Sequence, residues 1–326
     1  MLYRWLSMLA AHLALTAGIF AQQADSDQPR FRVDVRAALY EVRVRDAAGN
    51  VIRGLQQADF RVFEDGKPRP LTHFEESPSE KISLAILLDI GRSKSSKRIL
   101  LGRQVMQQLV HLLDPGDEVL LGVYYQDVAF VCALTTDRYQ MVEGIQNIGY
   151  IGSGAGPGKW KSLANLLISG TSQGSSLGNG SLTGYAVDES LLKLKKARNP
   201  VKAVLVVSAG FGGIGEATLD HLRLAGSRFF AVSLGNRAGD IFSLGGDQAA
   251  RKRIVRDTGG ISYSGKEVLQ RLEQLRDSLK HFYLLAYSPA PGDDNLLKRK
   301  VEVRLPGHPQ AQISFVRRTR SGSSFY

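Results

Sequence analysis

A short, almost uninterrupted apolar run extends from Ile82 to Leu88. A run this short and this apolar is typical of a strand that is buried on both faces, as in a parallel sheet. The run ends at Asp89, and a polar loop follows before a helical pattern begins near residue 97. Asp89 is therefore predicted at the carboxyl end of a strand, where open α/β sheets bind ligands.

Strand and helix patterns alternate from residue 81 to about residue 280. This alternation predicts an α/β fold with a doubly wound, mostly parallel sheet. The predicted strands are 82–88, 118–125, 128–134, 201–208, 228–234 and 261–264. The predicted helices are 97–113, 137–148, 184–197, 216–225, 247–258 and 266–280, and a Gly- and Ser-rich stretch covers 149–180.

Short strand patterns lie at both ends of the chain, and neither set can close a core alone. The first set includes an Asp65-Gly66 turn signal, and the second contains the alternating segment 301–305. We therefore predict one small β-sandwich formed by both chain ends, with the α/β domain inserted between them. The predicted divisions are 1–21, a signal peptide; 22–30, a linker; 31–79, the amino-terminal half of the sandwich; 80–281, the α/β domain; and 282–326, the carboxyl-terminal half of the sandwich.

The first 21 residues have the pattern of an export signal. Arg4 supplies a positive charge, Leu6 to Phe20 is mostly apolar, and Ala21 is a small residue at the expected cleavage point. The apolar segment is short for a membrane span, and an uncleaved anchor is the alternative. No later apolar segment is long enough to cross a bilayer, so we expect an extracytoplasmic protein.

Composition indicates a globular chain, with 43% hydrophobic and 22% charged residues. The net charge of +11 allows an anionic partner, but basic residues are mostly interleaved with acidic ones. The densest cluster, 193–198, ends a predicted helix and complements its dipole, so we expect no nucleic-acid binding. Cys132 is the single cysteine, which excludes an internal disulfide, and its apolar neighbours place it in the core.

The apolar strand followed by Asp89, Ser93 and a helix resembles the opening of a von Willebrand factor A domain. Nearly the whole mature chain resembles secreted bacterial proteins with an A-related domain, of the kind abundant in acidobacteria. This resemblance is carried by FRVDVRAALYEVRVRDAAGNVIRGLQQADFRVFEDGKPRPLTHF at 31–74, LAILLDIGRS, LLDPGDEVLLGVY, the DTGG at 257–260 and LRDSLKHFYLLAYSPA. It implies export and the A-domain fold.

The resemblance also implies a metal-ion-dependent adhesion site, in which oxygen ligands hold a divalent cation. The family's first loop reads Asp-x-Ser-x-Ser, and this chain keeps Asp89 and Ser93 but has Gly91 at the first Ser. The family's second loop supplies a Thr, for which Ser181 is the aligned residue and Thr183 the near alternative.

The third loop departs further from the family pattern. Where the family usually has Thr-Asp-Gly, this chain has Ser208-Ala209-Gly210, so a carboxylate ligand is missing. Arg92 and Lys94 add positive charge beside the loop, which opposes a cation. We therefore expect a degenerate site without metal, in which Asp89 bonds nearby hydroxyls or Arg92. Mg²⁺ or Mn²⁺ on the residual candidates Asp89 and Ser93 is the alternative.

Other catalytic or cofactor motifs are incomplete. The segment 210–215 matches G-x-G-x-x-G, but the acidic residue that would bind a ribose is absent after the next strand. The six histidines show no paired spacing for zinc. His111 and His281 are predicted on helices, at the surface or its boundary. We therefore expect no catalytic residues.

These observations favour an exported, non-catalytic binding module. The rim loops 89–97, 149–183 and 209–215 would contact a protein or another extracellular macromolecule. Two alternatives stay open: a nucleotide-binding or metal-dependent enzyme on the same fold, and a structural envelope component. The candidate rim residues are Asp89, Gly91, Ser93, Ser181, Thr183 and Ser208.

Overall fold

Strands and helices alternate along the middle of the chain, and short strands lie at both ends. The structure is a computed structural model that describes residues 37–77, 80–90, 96–125, 127–153, 183–208, 214–234, 253–264, 268–290 and 299–317. The strands are β1 (Ala38–Arg45), β2 (Arg61–Glu64), β3 (Lys67–Arg69), β4 (Leu71–Ser77), β5 (Ile82–Asp89), β6 (Glu118–Tyr124), β7 (Val128–Thr135), β8 (Val201–Ser208), β9 (Arg228–Ser233), β10 (Ser262–Ser264), β11 (Phe282–Tyr287), β12 (Val301–Arg304) and β13 (Gln312–Arg317). The α-helices are α1 (Ser96–Leu112), α2 (Arg138–Ser153), α3 (Thr183–Leu194), α4 (Glu216–Leu224) and α5 (Leu272–Lys280), with a further helical segment at 253–257.

The central sheet has six strands in the order β10-β9-β8-β5-β6-β7. All neighbouring pairs are parallel except β6 and β7, which are antiparallel at one edge. Helices α1, α2 and α5 pack on one face of the sheet, and α3 and α4 pack on the other. The predicted doubly wound, mostly parallel α/β fold is therefore confirmed.

The core of this sheet follows from the alternation of side chains along β5. Leu84, Ile86 and Leu88 face the side of α1, whereas Ala85 and Leu87 face the side of α3. All five side chains are fully buried. Burying one such large aliphatic side chain contributes roughly 1.5–3 kcal/mol, so both layers of helices are held by the central strand.

The two chain ends share a small β-sandwich. Strand β1, from the beginning of the chain, pairs with β11 and β13 from its end. The resulting sheet has the order β13-β1-β11-β4, and it faces a second sheet with the order β12-β2-β3. A common core that includes Val42, Phe60, Tyr283 and Leu285 lies between these sheets. The predicted pairing of both chain ends is thus present, and the chain leaves the sandwich after β4 and returns to it at β11.

The Asp-Gly turn predicted between two strands joins β2 to β3. Asp65 and Gly66 have φ values of 51° and 78°. Two consecutive positive φ values are the requirement of a two-residue type I′ hairpin.

Buried charges connect the sandwich to the α/β sheet. Glu41 of β1 forms an ion pair with Arg228, the first residue of β9. Arg43 donates from Nε to the carbonyl of Ser278 at 2.7 Å, and both guanidinium groups lie over the ring of Phe282, at 5.4 and 5.0 Å. Because burial disfavours its charged form, the pKa of Arg43 falls to about 9.

Three predicted details differ from the structure. Helix α2 continues to Ser153 rather than ending at 148. The predicted helix 266–280 is an α-helix only from Leu272, and a 3₁₀ turn at Leu269–Arg271 precedes it. His281 is not on a helix or at the boundary: it follows α5 and is 1% exposed. Its Nε2 lies 2.8 Å from Oε1 of Glu76 in β4. This hydrogen-bond partner allows the imidazole ring to be buried between the end of α5 and the sandwich.

Candidate functional site

A row of polar residues crosses one face of the parallel sheet where the strands end. The parallel register places Asp89 of β5 beside Tyr124 of β6, and Ser208 of β8 beside Ser233 of β9. Paired residues in a sheet point to the same face, and this face is the one covered by α3. The sheet therefore collects, at its carboxyl edge, side chains from four different strands.

Asp89 and Ser208 are in direct contact. The Ser208 hydroxyl donates to Oδ2 of Asp89 at 2.6 Å, which is a short bond of the kind expected for a charged acceptor. Ser208 is fully buried, whereas Asp89 is half-buried. The hydroxyl therefore fixes the carboxylate at the point where β5 ends and its loop begins.

Thr183 and Tyr124 form a second pair. Their hydroxyl groups lie 3.1 Å apart, and both side chains have no exposed surface. Thr183 is the first residue of α3, so this hydrogen bond attaches the beginning of that helix to the end of β6. Next to it, the Ile90 amide donates to the Tyr124 carbonyl at 3.0 Å.

The structure describes three of the six predicted rim residues: Asp89, Thr183 and Ser208. The other three, Gly91, Ser93 and Ser181, lie outside the residues that the structure describes. The same is true of Ala209 and of 210–213 in the glycine-rich segment, whereas Gly215 is the extended residue before α4, with φ −115°.

The oxygen donors brought together here suit a divalent cation poorly. Mg²⁺ requires near-octahedral oxygen coordination, usually with one or two carboxylates and several waters. Within the buried row the described carboxylate is Asp89, and its Oδ2 already accepts a hydrogen bond from the Ser208 hydroxyl. The Thr183 hydroxyl is bonded to Tyr124. No group of three or more His, Cys, Asp or Glu side chains that could hold a metal ion occurs among the described residues.

One large aromatic side chain is exposed beside the buried row. Tyr185, two residues after Thr183, is 42% exposed. Its pKa is raised by partial burial and by the nearby charges of Glu189 and Asp127. Asp127 lies in the turn between β6 and β7, at the same edge of the sheet. The described rim surface therefore combines a tyrosine with two carboxylates.

None of the three hydroxyl groups in the two pairs is placed for catalysis. Ser208, Thr183 and Tyr124 have no exposed surface, so a substrate cannot reach their oxygens in this conformation. Cys132 is buried as predicted, and burial, with Asp137 and Glu143 as lesser causes, raises its thiol pKa to about 11. A thiol with that pKa is protonated at neutral pH and is a poor nucleophile.

The sequence interpretation missed Tyr124, Ser233 and Tyr185. Tyr124 and Ser233 could have been found by writing the predicted parallel strands in register, since each is the last residue of its strand. Tyr185 gives no such signal, because an aromatic residue near a helix start is as often buried as exposed.

Comparison with known proteins gives structural matches only. No protein-family model and no curated protein sequence matches the chain significantly. Among solved structures, the chain is similar to the conserved hypothetical protein BatB from Bacteroides thetaiotaomicron, with 13% identity and a TM-score of 0.41 over 60% of this chain and 98% of that one. It is also similar to a von Willebrand factor type A protein from Catenulispora acidiphila, with 9% identity and a TM-score of 0.42 over 88% and 74% of the two chains.

A third match is proximal thread matrix protein 1 from the mussel byssus, in a structure whose adhesion-site motif is occupied by zinc. The identity is 10% and the TM-score 0.44, over 67% of this chain and 50% of that chain.

In the described regions of this chain, no helix has the length and apolar character needed to cross a membrane.

Proposed function

We propose that the chain is an exported, non-catalytic module that binds another protein through the carboxyl edge of its parallel sheet, without a metal ion. The observation that carries the proposal is the arrangement of this edge. Its hydroxyl groups and its carboxylate are tied to one another, and the tyrosine beside them faces solvent.

The buried pairs have a supporting role in this proposal. The Asp89–Ser208 bond fixes the end of β5 against β8, and the Thr183–Tyr124 bond fixes the start of α3 against β6. A rigid support reduces the entropy that binding must remove, which favours recognition without further ligands. Tyr185 is then the side chain offered to a partner, since tyrosine is enriched among residues that dominate interface energies.

The proposal is tested by retention of a partner from an envelope extract of the source organism. Immobilised wild-type chain is compared with Tyr185→Ala and with Tyr139→Ala. Tyr139 is a matched control because it is 89% exposed and lies near the start of α2, at the opposite edge of the sheet. We expect Tyr185→Ala to lose the partner and Tyr139→Ala to retain it. Equal retention by both variants, or equal loss, would contradict a rim interface.

The metal independence of binding is tested separately. We expect the same partner to be retained with EDTA and with Mg²⁺, because the Asp89 carboxylate of the buried row already accepts a hydrogen bond from Ser208. A design follows from the family pattern that the sequence resembles: Gly91→Ser together with Ala209→Asp would restore two ligand types beside Asp89. If the loops keep the family geometry, this double variant should gain a Mg²⁺-dependent rise in melting temperature that the wild type lacks.

Export is the third element of the proposal, and it is supported by the segment from Arg4 to Ala21. Mass spectrometry of the chain expressed in its source should find a mature amino terminus just after Ala21. An intact Met1 on cytoplasmic protein would contradict export.

A further inference from the structure

A cleft lies at the junction between the sandwich and the helical layer, away from the polar row described above. Its volume is about 580 Å³, within the range of ligand-binding pockets. One wall comes from Arg223 at the end of α4 and from 256–257, and the other from 299–301 and β13. These α/β segments immediately precede β9 and β10, so the cleft is at the amino edge of the parallel strands, opposite Tyr185.

The lining of this cleft is strongly basic. Five of its lining residues are basic, and one is acidic: Arg223, Arg256, Arg299, Lys300 and Arg317 against Asp257. The basic residues come from both walls, so a ligand inside the cleft has basic side chains on two sides. Concave surfaces of one sign concentrate ligands of the opposite charge.

The acidic residues nearby already hold arginines in place. Asp257 accepts from Arg256 Nε at 2.8 Å and from an amino group of Arg223 at 3.2 Å, and Arg253 Nε lies 3.6 Å away. Arg223 also pairs with Asp220 at 3.4 Å and Arg253 with Glu216 at 2.5 Å, so these three guanidinium groups are held by three carboxylates. On the other wall, Arg299 is held at 2.9 Å by the buried carboxylate of Glu64.

Two further cations are available at the cleft. Within the described residues, the side chains of Lys300 and Arg317 have no carboxylate at ion-pair distance, and Lys300 is exposed. Between the walls, the ring of Tyr40 meets Phe315 edge-on, with ring centroids 5.9 Å apart. The cleft therefore combines cations that hold ion pairs, cations that have none among the described residues, and an aromatic floor.

We propose that this cleft binds an acidic peptide segment of a partner protein, with carboxylates on the basic walls and an apolar side chain on the Tyr40–Phe315 floor. Guanidinium groups match carboxylates in bidentate geometry, and positioned arginines lose little entropy on binding. Gly259 packs against the face of β13, where an added Cβ would lie 3.2 Å from the Phe315 carbonyl carbon. In this proposal the recognition is by side chains.

The test uses a fluorescein-labelled peptide in which glutamate alternates with apolar residues, and a control peptide with glutamine at every glutamate. Fluorescence anisotropy with purified full-length chain should show saturable binding of the acidic peptide at low salt, weakening as salt screens the charges. The glutamine peptide should not bind.

Matched variants locate the binding. Arg256→Gln with Lys300→Gln removes two exposed cations from opposite walls, and should weaken binding about tenfold. Lys67→Gln with Lys97→Gln removes the same net charge from exposed positions that do not line the cleft, and should leave the affinity within about twofold. Circular dichroism establishes that both variants are folded, and Lys300→Glu alone provides a second, stronger perturbation.

Three results would overturn the proposal. The first is absence of saturable binding of the acidic peptide by the wild type. The second is equal weakening in the two double variants, which would show that only net charge matters. The third is displacement of the peptide by a single-stranded oligonucleotide at lower concentration than by the unlabelled peptide, which would assign the cleft to nucleic acid instead.

Discussion

Replacing Gly260 with alanine should strongly destabilise the chain, because its backbone is packed directly against β9. A Cβ added at this position would lie 1.8 Å from the carbonyl oxygen and 2.7 Å from the carbonyl carbon of Phe229. Real Cβ atoms essentially never lie closer than 3.0 Å to another heavy atom of this kind. The backbones at Gly260 and Phe229 would therefore have to separate by about 1.2 Å.

Neither side of this contact can move without further loss. The Phe229 amide donates to the Thr258 hydroxyl at 3.0 Å, and the Ala231 amide donates to the Ile261 carbonyl at 2.9 Å. The Gly260 amide itself donates to the Val255 carbonyl at 2.9 Å. Separation of the whole segment from β9 by more than an ångström would lengthen the first two bonds, and a shift of Gly260 alone would lengthen the third. Overpacking in a rigid core typically costs about 1–3 kcal/mol, and we expect the upper end of that range or more.

The assay is urea denaturation followed by circular dichroism, with Gly307→Ala as the matched control. Gly307 lies in the turn between β12 and β13, and an added Cβ there meets nothing within 4 Å. The control should stay within about 0.5 kcal/mol of wild type, while Gly260→Ala should lose about 3 kcal/mol. If Gly260→Ala is as stable as the control, Gly260 does not pack closely against β9 and the argument is refuted.

Three further predictions concern charge. Glu41→Gln removes the carboxylate that compensates the buried Arg228 and Arg43, and it should lower the free energy of unfolding by roughly 3–5 kcal/mol. A loss under about 1 kcal/mol would contradict the role of Glu41 as their counter-charge. Millimolar Mg²⁺ should not raise the melting temperature, whereas a shift that disappears in Asp89→Ala would show a working metal site. Stability should fall as pH is lowered from 7 to 5: burial lowers the pKa of His281 below 6.5, so the unfolded state binds more protons and acid favours it. The decline should be shallower in His281→Gln, and an equal slope in both proteins would exclude this histidine as a cause.

The α/β sheet could be predicted from sequence because a strand buried on both faces must be apolar at nearly every position. The run from Ile82 to Leu88 meets that condition, and β5 occupies those residues. The shared sandwich was predictable from a related constraint, since strands at each chain end had no partners nearby. Helix ends were predicted less well, because the 3₁₀ turn before Leu272 is set by packing of Val268 and Leu272 in the core rather than by a capping residue.

The candidate site was predictable only to a limited extent. Asp89 and Ser208 could be named because each ends an apolar strand, and parallel strands end at one edge. Their hydrogen bond joins residues 119 positions apart, and the Thr183–Tyr124 pair joins residues 59 positions apart. Such pairs depend on strand order and register, which are fixed by packing between distant segments.

Charge shows most clearly what the sequence determined and what the tertiary structure decided. The sequence alone established a net charge of +11, with basic residues spread along the chain and mostly interleaved with acidic ones. The tertiary structure buries Arg43 and Arg228 completely, because Glu41 lies beside them and offsets the loss of water. It also collects basic residues from α4, the end of the helical segment 253–257 and the residues just before β12 into one cleft. Coulomb interactions depend on distance in space, and only folding brings these residues together.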